Sequence, residues 1–130
     1  MIPTMTLNRF VQQKEKAHPG ATGELSELLS SIALGIKLIS NLVQTAAFKG
    51  LHGYTGSVNV QGEHTQKLDE QSNEVLTEIL GSLGHFGLLV SEETDNVIPT
   101  SAKKDQSKYV VAFDPLDGSS NLGVNVSVGT

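Results

Sequence analysis

The chain has 130 residues, of which 38% are hydrophobic, 18% charged and only 5% aromatic, a globular balance whose core must rest on Leu, Ile, Val and Ala. Nine basic residues stand against fourteen acidic ones for a net charge of −5, with no basic stripe to neutralise phosphates, which argues against nucleic acid as a partner. With no cysteine there is neither a disulfide framework nor a thiolate zinc site, no apolar run reaches the ~20 uninterrupted residues of a membrane span, and the first residues lack a signal-peptide pattern, so a soluble, cytoplasmic protein with no membrane partner is expected.

Residues 6–17 read as a short amphipathic helix, capped by Thr6, with Leu7, Phe10 and Val11 on one face and His18-Pro19-Gly20 as a stop. A longer helix comes next. Thr22 is its expected N-cap, Glu24 and Glu27 suit the positive helix start, and apolar residues from Leu25 keep helical spacing to about Phe48, before Gly50. Its apolar groups fall on more than one side, which points to double coverage or a role in assembly. Residues 49–66, rich in glycine, read as a mobile loop. A third helix is expected after Asp69, with Val75, Leu76, Ile79, Leu80 and Leu83 inward and Gly84 at its end. The period then changes. Phe86–Val90 is an apolar strand that delivers Ser91-Glu92-Glu93, 94–107 a polar connection, and Tyr109–Phe113 a second strand that delivers Asp114-Pro115-Leu116-Asp117-Gly118-Ser119-Ser120-Asn121. Val124–Val128 alternates as a third strand. The order gives an α/β, α+β-layered fold, helices first and then strands with carboxylates at their ends.

Residues 63–95 hold eight carboxylates against Lys67 alone. Glu70, Glu74 and Glu78, spaced by four, suit a solvated helix face. Glu92, Glu93, Asp114 and Asp117 are different, because strands bring them to one sheet edge, where like charges repel unless a cation or protons intervene. Hard oxygen ligands suit Mg2+ or Mn2+. Pro115 fixes a turn in which Asp114 and Asp117 can face one point, with the Leu116 carbonyl as a further oxygen. Gly118, Ser119 and Ser120 then offer N–H groups and hydroxyls to a phosphate. Asp-Pro-x-Asp-Gly is also a good plain turn, but together with Glu92-Glu93 it favours metal-assisted phosphoryl transfer to water.

Phe113 to Asn121 resembles the signature of the magnesium-dependent, lithium-sensitive sugar phosphatases. Thr22-Gly23-Glu24-Leu25, Asn59 to Glu63, Gln66-Lys67-Leu68-Asp69, Ser91-Glu92-Glu93, Lys108 to Val111 and Val126 to Thr130 narrow the resemblance to class I fructose-1,6-bisphosphatases. The resemblance implies a sugar-phosphatase fold in which 1–130 is the N-terminal, AMP-binding region with part of the metal cluster, the C-terminal half lying elsewhere. It implies Mg2+-dependent hydrolysis of the 1-phosphate of fructose 1,6-bisphosphate, allosteric inhibition by AMP, and a homotetramer. Glu92, Glu93, Asp114, the Leu116 carbonyl and Asp117 match its metal ligands, and Asp117, Gly118, Ser119 and Ser120 its 1-phosphate contacts. Glu63 matches a loop carboxylate, and Asp69 with Glu93 the pair that activates water. The 59–67 segment matches a loop that closes over the site. Thr22, Gly23, Glu24, Leu25, Ser26, Lys108 and Tyr109 match the AMP site.

Ser26 keeps the hydroxyl of the family's usual Thr, whereas Leu122-Gly123 departs from the usual Ile-Asp. The 130-residue piece by itself is expected to be inactive. Two other readings stand beside the main one. Another sugar bisphosphate or inositol phosphate phosphatase is the first, and a non-catalytic nucleotide- or metal-binding fragment the second. The four histidines, His18, His52, His64 and His85, match no ligand set and read as loop or surface residues.

Overall fold

In a computed structural model the described residues are 4–51, 53–58, 62, 64–84, 86–101, 108–124 and 126–130. The α/β expectation holds, as helices α1 (Leu7–Lys16), α2 (Glu24–Lys49) and α3 (Lys67–Gly81) accompany two small sheets. Strands β1 (Tyr54–Val58) and β2 (His64–Gln66) form an antiparallel hairpin. Strands β3 (Phe86–Ser91), β4 (Ile98–Pro99) and β5 (Tyr109–Phe113) form a second sheet in the order β4-β3-β5.

Thr6 caps α1 as its sequence position implies, its hydroxyl accepting the Arg9 N–H at 3.3 Å. Of the three apolar residues expected to form the helix face, Val11 is buried while Leu7 and Phe10 stay half exposed. Helix α2 differs from expectation at its start. Its N-cap is Gly23, in the left-handed region at φ +84, and no side chain caps it, so Thr22 is not the cap. Glycine takes that conformation without the Cβ penalty, leaving Thr22 outside the helix and exposed. Gly50 ends the helix at φ +66, as expected.

Helix α2 is 26 residues long and apolar enough to cross a membrane by length and composition, contrary to the expectation from its interrupting polar groups. One face of it builds the core. Leu28, Ile39 and Ala46 join Leu68, Leu76 and Leu80 of α3, Leu89 of β3 and Leu116 in one buried cluster. Gly35 lets α2 and α3 approach closely, since a Cβ there would lie 2.5 Å from Leu76 Cδ2. Leu25, Leu34, Ile36, Leu38 and Phe48 leave much of the other side of α2 apolar and exposed.

Within 49–66, read from the sequence as a mobile loop, the described residues include the paired strands β1 and β2. Gly53 precedes β1, Gly56 falls at the irregularity within it and Gly62 lies between the two strands, all three at positive φ, and the Lys67 N–H bonds the Gly53 carbonyl at 3.0 Å. Helix α3 begins at Lys67, before the expected start. Gln66 is its N-cap and Asp69, at the third helical position, closes a capping box by accepting the Gln66 N–H at 2.7 Å.

β3 and β5 pair in parallel, with Leu89 opposite Val111 and Ser91 opposite Phe113. This register turns Leu89, Val111 and Phe113 toward the helices and leaves Leu88, Val90 and Val110 outward. Within the expected polar connection, Ile98–Pro99 adds the short strand β4 antiparallel to β3. The expected third strand at 124–128 does not form. Ser119–Val124 is a 3-10 helix, and residues 126 and 127 bond back onto it: Val126 N–H to the Asn121 carbonyl and Asn121 Nδ2 to the Ser127 carbonyl. Those bonds take the backbone groups a ladder would need, and Val124 and Val126 are exposed.

Candidate functional site

The parallel pairing sets the ends of β3 and β5 side by side. The ladder continues one step past β3, where the Glu92 N–H donates to the Phe113 carbonyl at 3.2 Å, so Glu92 lies directly beside the start of the Asp114 turn. Ser91, buried to 3% exposure, donates to Asn73 Oδ1 of α3 at 2.7 Å and accepts the Glu93 N–H at 3.2 Å. The end of β3 is thereby bolted to α3, and Glu92 and Glu93 are half-buried there.

The Asp114 turn is held by its apolar members. Pro115 and Leu116 are buried in the core, which leaves Asp114 half-buried and Asp117 exposed on the outer side. Asp114 Oδ1 accepts the Leu116 N–H at 2.9 Å, an Asx turn that suits Asp before Pro. Gly118 turns the chain at φ +77, where a Cβ would press on Asn121 Nδ2 at 3.1 Å. Asn121 N–H to the Gly118 carbonyl (2.8 Å) and Gly129 N–H to the Asp117 carbonyl (2.9 Å) close the turn. Ser119 and Ser120 open the 3-10 helix that follows, Ser119 half-buried and Ser120 exposed.

The structure therefore brings Glu92, Glu93, Asp114, Leu116, Asp117, Gly118, Ser119 and Ser120 to neighbouring strand ends. It does not close them into a cluster. Among the described residues no three Asp, Glu or His side chains converge closely enough to hold a metal ion. Part of the reason is local, since Asp114 turns one oxygen to its own backbone. Asp69, expected to help activate water, is 2% exposed and gives one oxygen to the α3 cap. Glu63 lies outside the described residues, as do Asn59 to Gln61 of the expected closing loop. The donor set still fits one kind of cation: carboxylates, a carbonyl and hydroxyls, with no thiol in the chain, suit a hard divalent ion.

A second site is better gathered. Thr22, Gly23, Leu25, Ser26, Lys108 and Tyr109 line one cavity of about 520 Å³ between α1, the start of α2 and the start of β5. Glu24 completes the expected set from the rim, its carboxylate accepting from Lys108 Nζ at 2.6 Å. Sequence reading missed the α1 wall, made by Phe10, Val11, Lys14, Glu15 and His18. Their spacing was a usable signal, because Phe10, Lys14 and His18 recur every four residues and so share a face. Lys14 Nζ lies 5.5 Å from the centre of the Phe10 ring. His18, expected at the surface, is exposed there, its Nδ1 2.7 Å from the Lys14 carbonyl. His52 and His85 lie outside the described residues. The cavity pairs an apolar, partly aromatic wall with a rim of mixed charge, Lys14 and Lys108 beside Glu15 and Glu24, and with the first amides of a helix, a combination that can take an anion carrying a flat ring.

Comparison with known proteins places the chain in a family. Residues 5–130 match the family model described as fructose-1-6-bisphosphatase, N-terminal domain. A class 1 fructose-1,6-bisphosphatase of Persephonella marina is 48% identical over 126 residues, which are 97% of this chain and 39% of that protein. One of Chlorobium phaeovibrioides is 42% identical over 130 residues, all of this chain and 39% of its own. The crystal structure of Leishmania major fructose-1,6-bisphosphatase in holo form superposes with a TM-score of 0.84 at 34% identity, covering 95% of this chain and 37% of that one. The T-state structure of the same enzyme gives a TM-score of 0.73 at 32% identity, over 97% and 35% of the two chains. The chain spans about two-fifths of the length of the curated relatives it matches. With the family model matched over residues 5–130 and the fold shared with a solved member, the chain belongs to the fructose-1,6-bisphosphatases and corresponds to their N-terminal domain.

Proposed function

We propose that this chain is the N-terminal, regulatory portion of a cytoplasmic fructose-1,6-bisphosphatase that hydrolyses the 1-phosphate of fructose 1,6-bisphosphate. The observation that carries this reading is the Asp114–Asn121 turn, set by parallel β3–β5 pairing directly beside Glu92 and Glu93. Glu92, Glu93, Asp114, the Leu116 carbonyl and Asp117 would hold magnesium, or manganese in its place. When bound, such an ion supplies charge stabilisation to the phosphoryl oxygens and lowers the pKa of water.

The chain's own residues do the rest. The N–H groups and hydroxyls of Gly118, Ser119 and Ser120 hold the phosphate without adding charge. A carboxylate, Glu93 with Asp69, takes the proton that water loses as its oxygen bonds phosphorus; the bond from phosphorus to the sugar oxygen breaks, and that oxygen leaves to be protonated. Glu63 belongs to this set as the loop carboxylate. A C-terminal portion supplies the sugar and 6-phosphate contacts and the remaining metal carboxylate, so the 130 residues alone give negligible turnover.

The cavity at the α2 start takes AMP as an allosteric inhibitor, its phosphate on the first amides of α2 and on Lys108 and Tyr109, and its base toward the α1 wall. The exposed apolar side of α2 supports assembly into a homotetramer. The test is phosphate release by the full-length enzyme with and without AMP. Release from fructose 1,6-bisphosphate, suppressed by AMP, supports the reading. A preference for inositol monophosphate would assign the enzyme to another branch, and absence of turnover on any phosphate ester would leave a binding module.

A further inference from the structure

We infer that Gln66 is a positioning residue for the phosphate-holding turn, setting the direction of the Ser120 N–H from the start of α3. The inference rests on the reading of Gly118–Ser120 as the phosphate cradle. Gln66 is 8% exposed, and its own N–H is fixed by Asp69 Oδ2 at 2.7 Å. Its side-chain amide donates from Nε2 to the Ser119 carbonyl at 2.5 Å, across 53 residues of sequence. A buried amide needs such a partner, and a carbonyl partner requires the NH₂ end of the amide to face it.

The consequence comes from peptide geometry. In a trans peptide the carbonyl of one residue and the N–H of the next point in opposite directions. Every described peptide bond is trans, so holding the Ser119 carbonyl toward α3 sends the Ser120 N–H the other way, to the outer side where Ser120 is exposed. Among the described residues no backbone carbonyl takes that N–H. The first bond within the turn runs from the Asn121 N–H to the Gly118 carbonyl, so the Ser119 and Ser120 amides precede it. The Asp117 carbonyl, which a continued turn would offer to Ser120, is engaged by the Gly129 N–H at 2.9 Å. Without the Gln66 donor the Ser119–Ser120 peptide plane loses the contact that selects its orientation. Gln66 thus links the end of the β1–β2 hairpin to the cradle.

The test uses the full-length enzyme with Gln66→Met, which keeps length and apolar volume but removes the donor. KM for fructose 1,6-bisphosphate and the inhibition constant of inorganic phosphate should rise together by about tenfold, the loss of one hydrogen bond to a charged group. kcat should stay within about twofold, because the contact is made to ground and transition states alike. Gln66→Lys, which restores a donor of similar reach, should recover most of the loss. If Gln66→Met does not fold, Gln66→Glu keeps the shape and an acceptor for the helix cap while removing the donor, and should show the same rise. The Ser119→Ala/Ser120→Ala double variant separates the role of Gln66 from the existence of the cradle. If it weakens phosphate while the Gln66 variants only lower the melting temperature, the role of Gln66 is overturned and the cradle stands. If none of these variants changes phosphate binding, the cradle reading falls and the inference with it.

Discussion

Replacing Gly35 with alanine should force α2 and α3 apart. The added methyl would stand 2.5 Å from Leu76 Cδ2, more than an ångström inside ordinary contact, with Ile79 Cδ1 a further neighbour at 3.8 Å. Leu76 is 2% exposed in the core, but it also lines a cavity of about 310 Å³ with Ile36, Leu80 and Val111, so a turn of its side chain relieves part of the strain. Overpacking of this kind costs about 1–3 kcal/mol, and replacing glycine within a helix returns up to ~1 kcal/mol. The net expectation is a loss of up to about 2 kcal/mol, or up to several degrees in the unfolding midpoint for a domain of this size. Gly81, near the end of α3, is the control, since nothing lies within 4 Å of a Cβ there and alanine should be neutral or mildly stabilising. Calorimetric and urea unfolding would measure both. Leu76→Ala alone should cost about 2–5 kcal/mol, and in that background Gly35→Ala should cost nothing further, a coupling of about 1–2 kcal/mol in a double-mutant cycle. A Gly35→Ala protein stabilised by the full ~1 kcal/mol of helix propensity, or strict additivity with Leu76→Ala, would refute the close crossing of the two helices.

Three further outcomes are expected. Glu24→Gln removes the carboxylate that holds Lys108, whose side chain is 53% exposed, so AMP should inhibit at a concentration about two- to fivefold lower, in line with the modest worth of an exposed ion pair; weaker inhibition would place Glu24 among the ligand contacts instead. Lys108→Ala should weaken AMP inhibition about tenfold or more with kcat unchanged in its absence, as read from inhibition curves. Because Gly23 caps α2, Thr22→Ala should leave stability within about 0.5 kcal/mol of the parent, whereas a true N-cap would cost ~1 kcal/mol; thermal unfolding distinguishes the two.

The three helices, the β3–β5 pair and the strand-end carboxylates were legible because each rests on local pattern: apolar spacing, a capping threonine at residue 6, a change of period at Phe86. The departures come from partners distant in sequence or from backbone conformation. Gly53, Gly56 and Gly62 look the same in a flexible loop and at the bends of a hairpin, and only pairing across β1 and β2 separates them. Val124 to Val128 alternates as a strand does, but its backbone bonds return to Asn121. Ile98-Pro99 is too short to show a period. In the candidate sites, Lys108 was attached to Glu24 through family likeness alone, since 84 residues separate them. Gln66 stood inside a recognised segment without a role, because its partner Ser119 is brought to it only by the fold. Asp69 shows the opposite case, a residue singled out for chemistry that also does structural work at the α3 cap.

The central claim, that the ends of β3 and β5 form a hydrolytic centre served by a divalent cation, is tested most directly by Glu92→Gln in the full-length enzyme. The measurement is phosphate release from fructose 1,6-bisphosphate against Mg2+ concentration, with Mg2+ affinity followed in parallel by calorimetry. Turnover should require Mg2+ and fall at least about 100-fold in the variant, together with weakened Mg2+ binding. Turnover that persists in a chelator, or that is unchanged in Glu92→Gln, would contradict the claim.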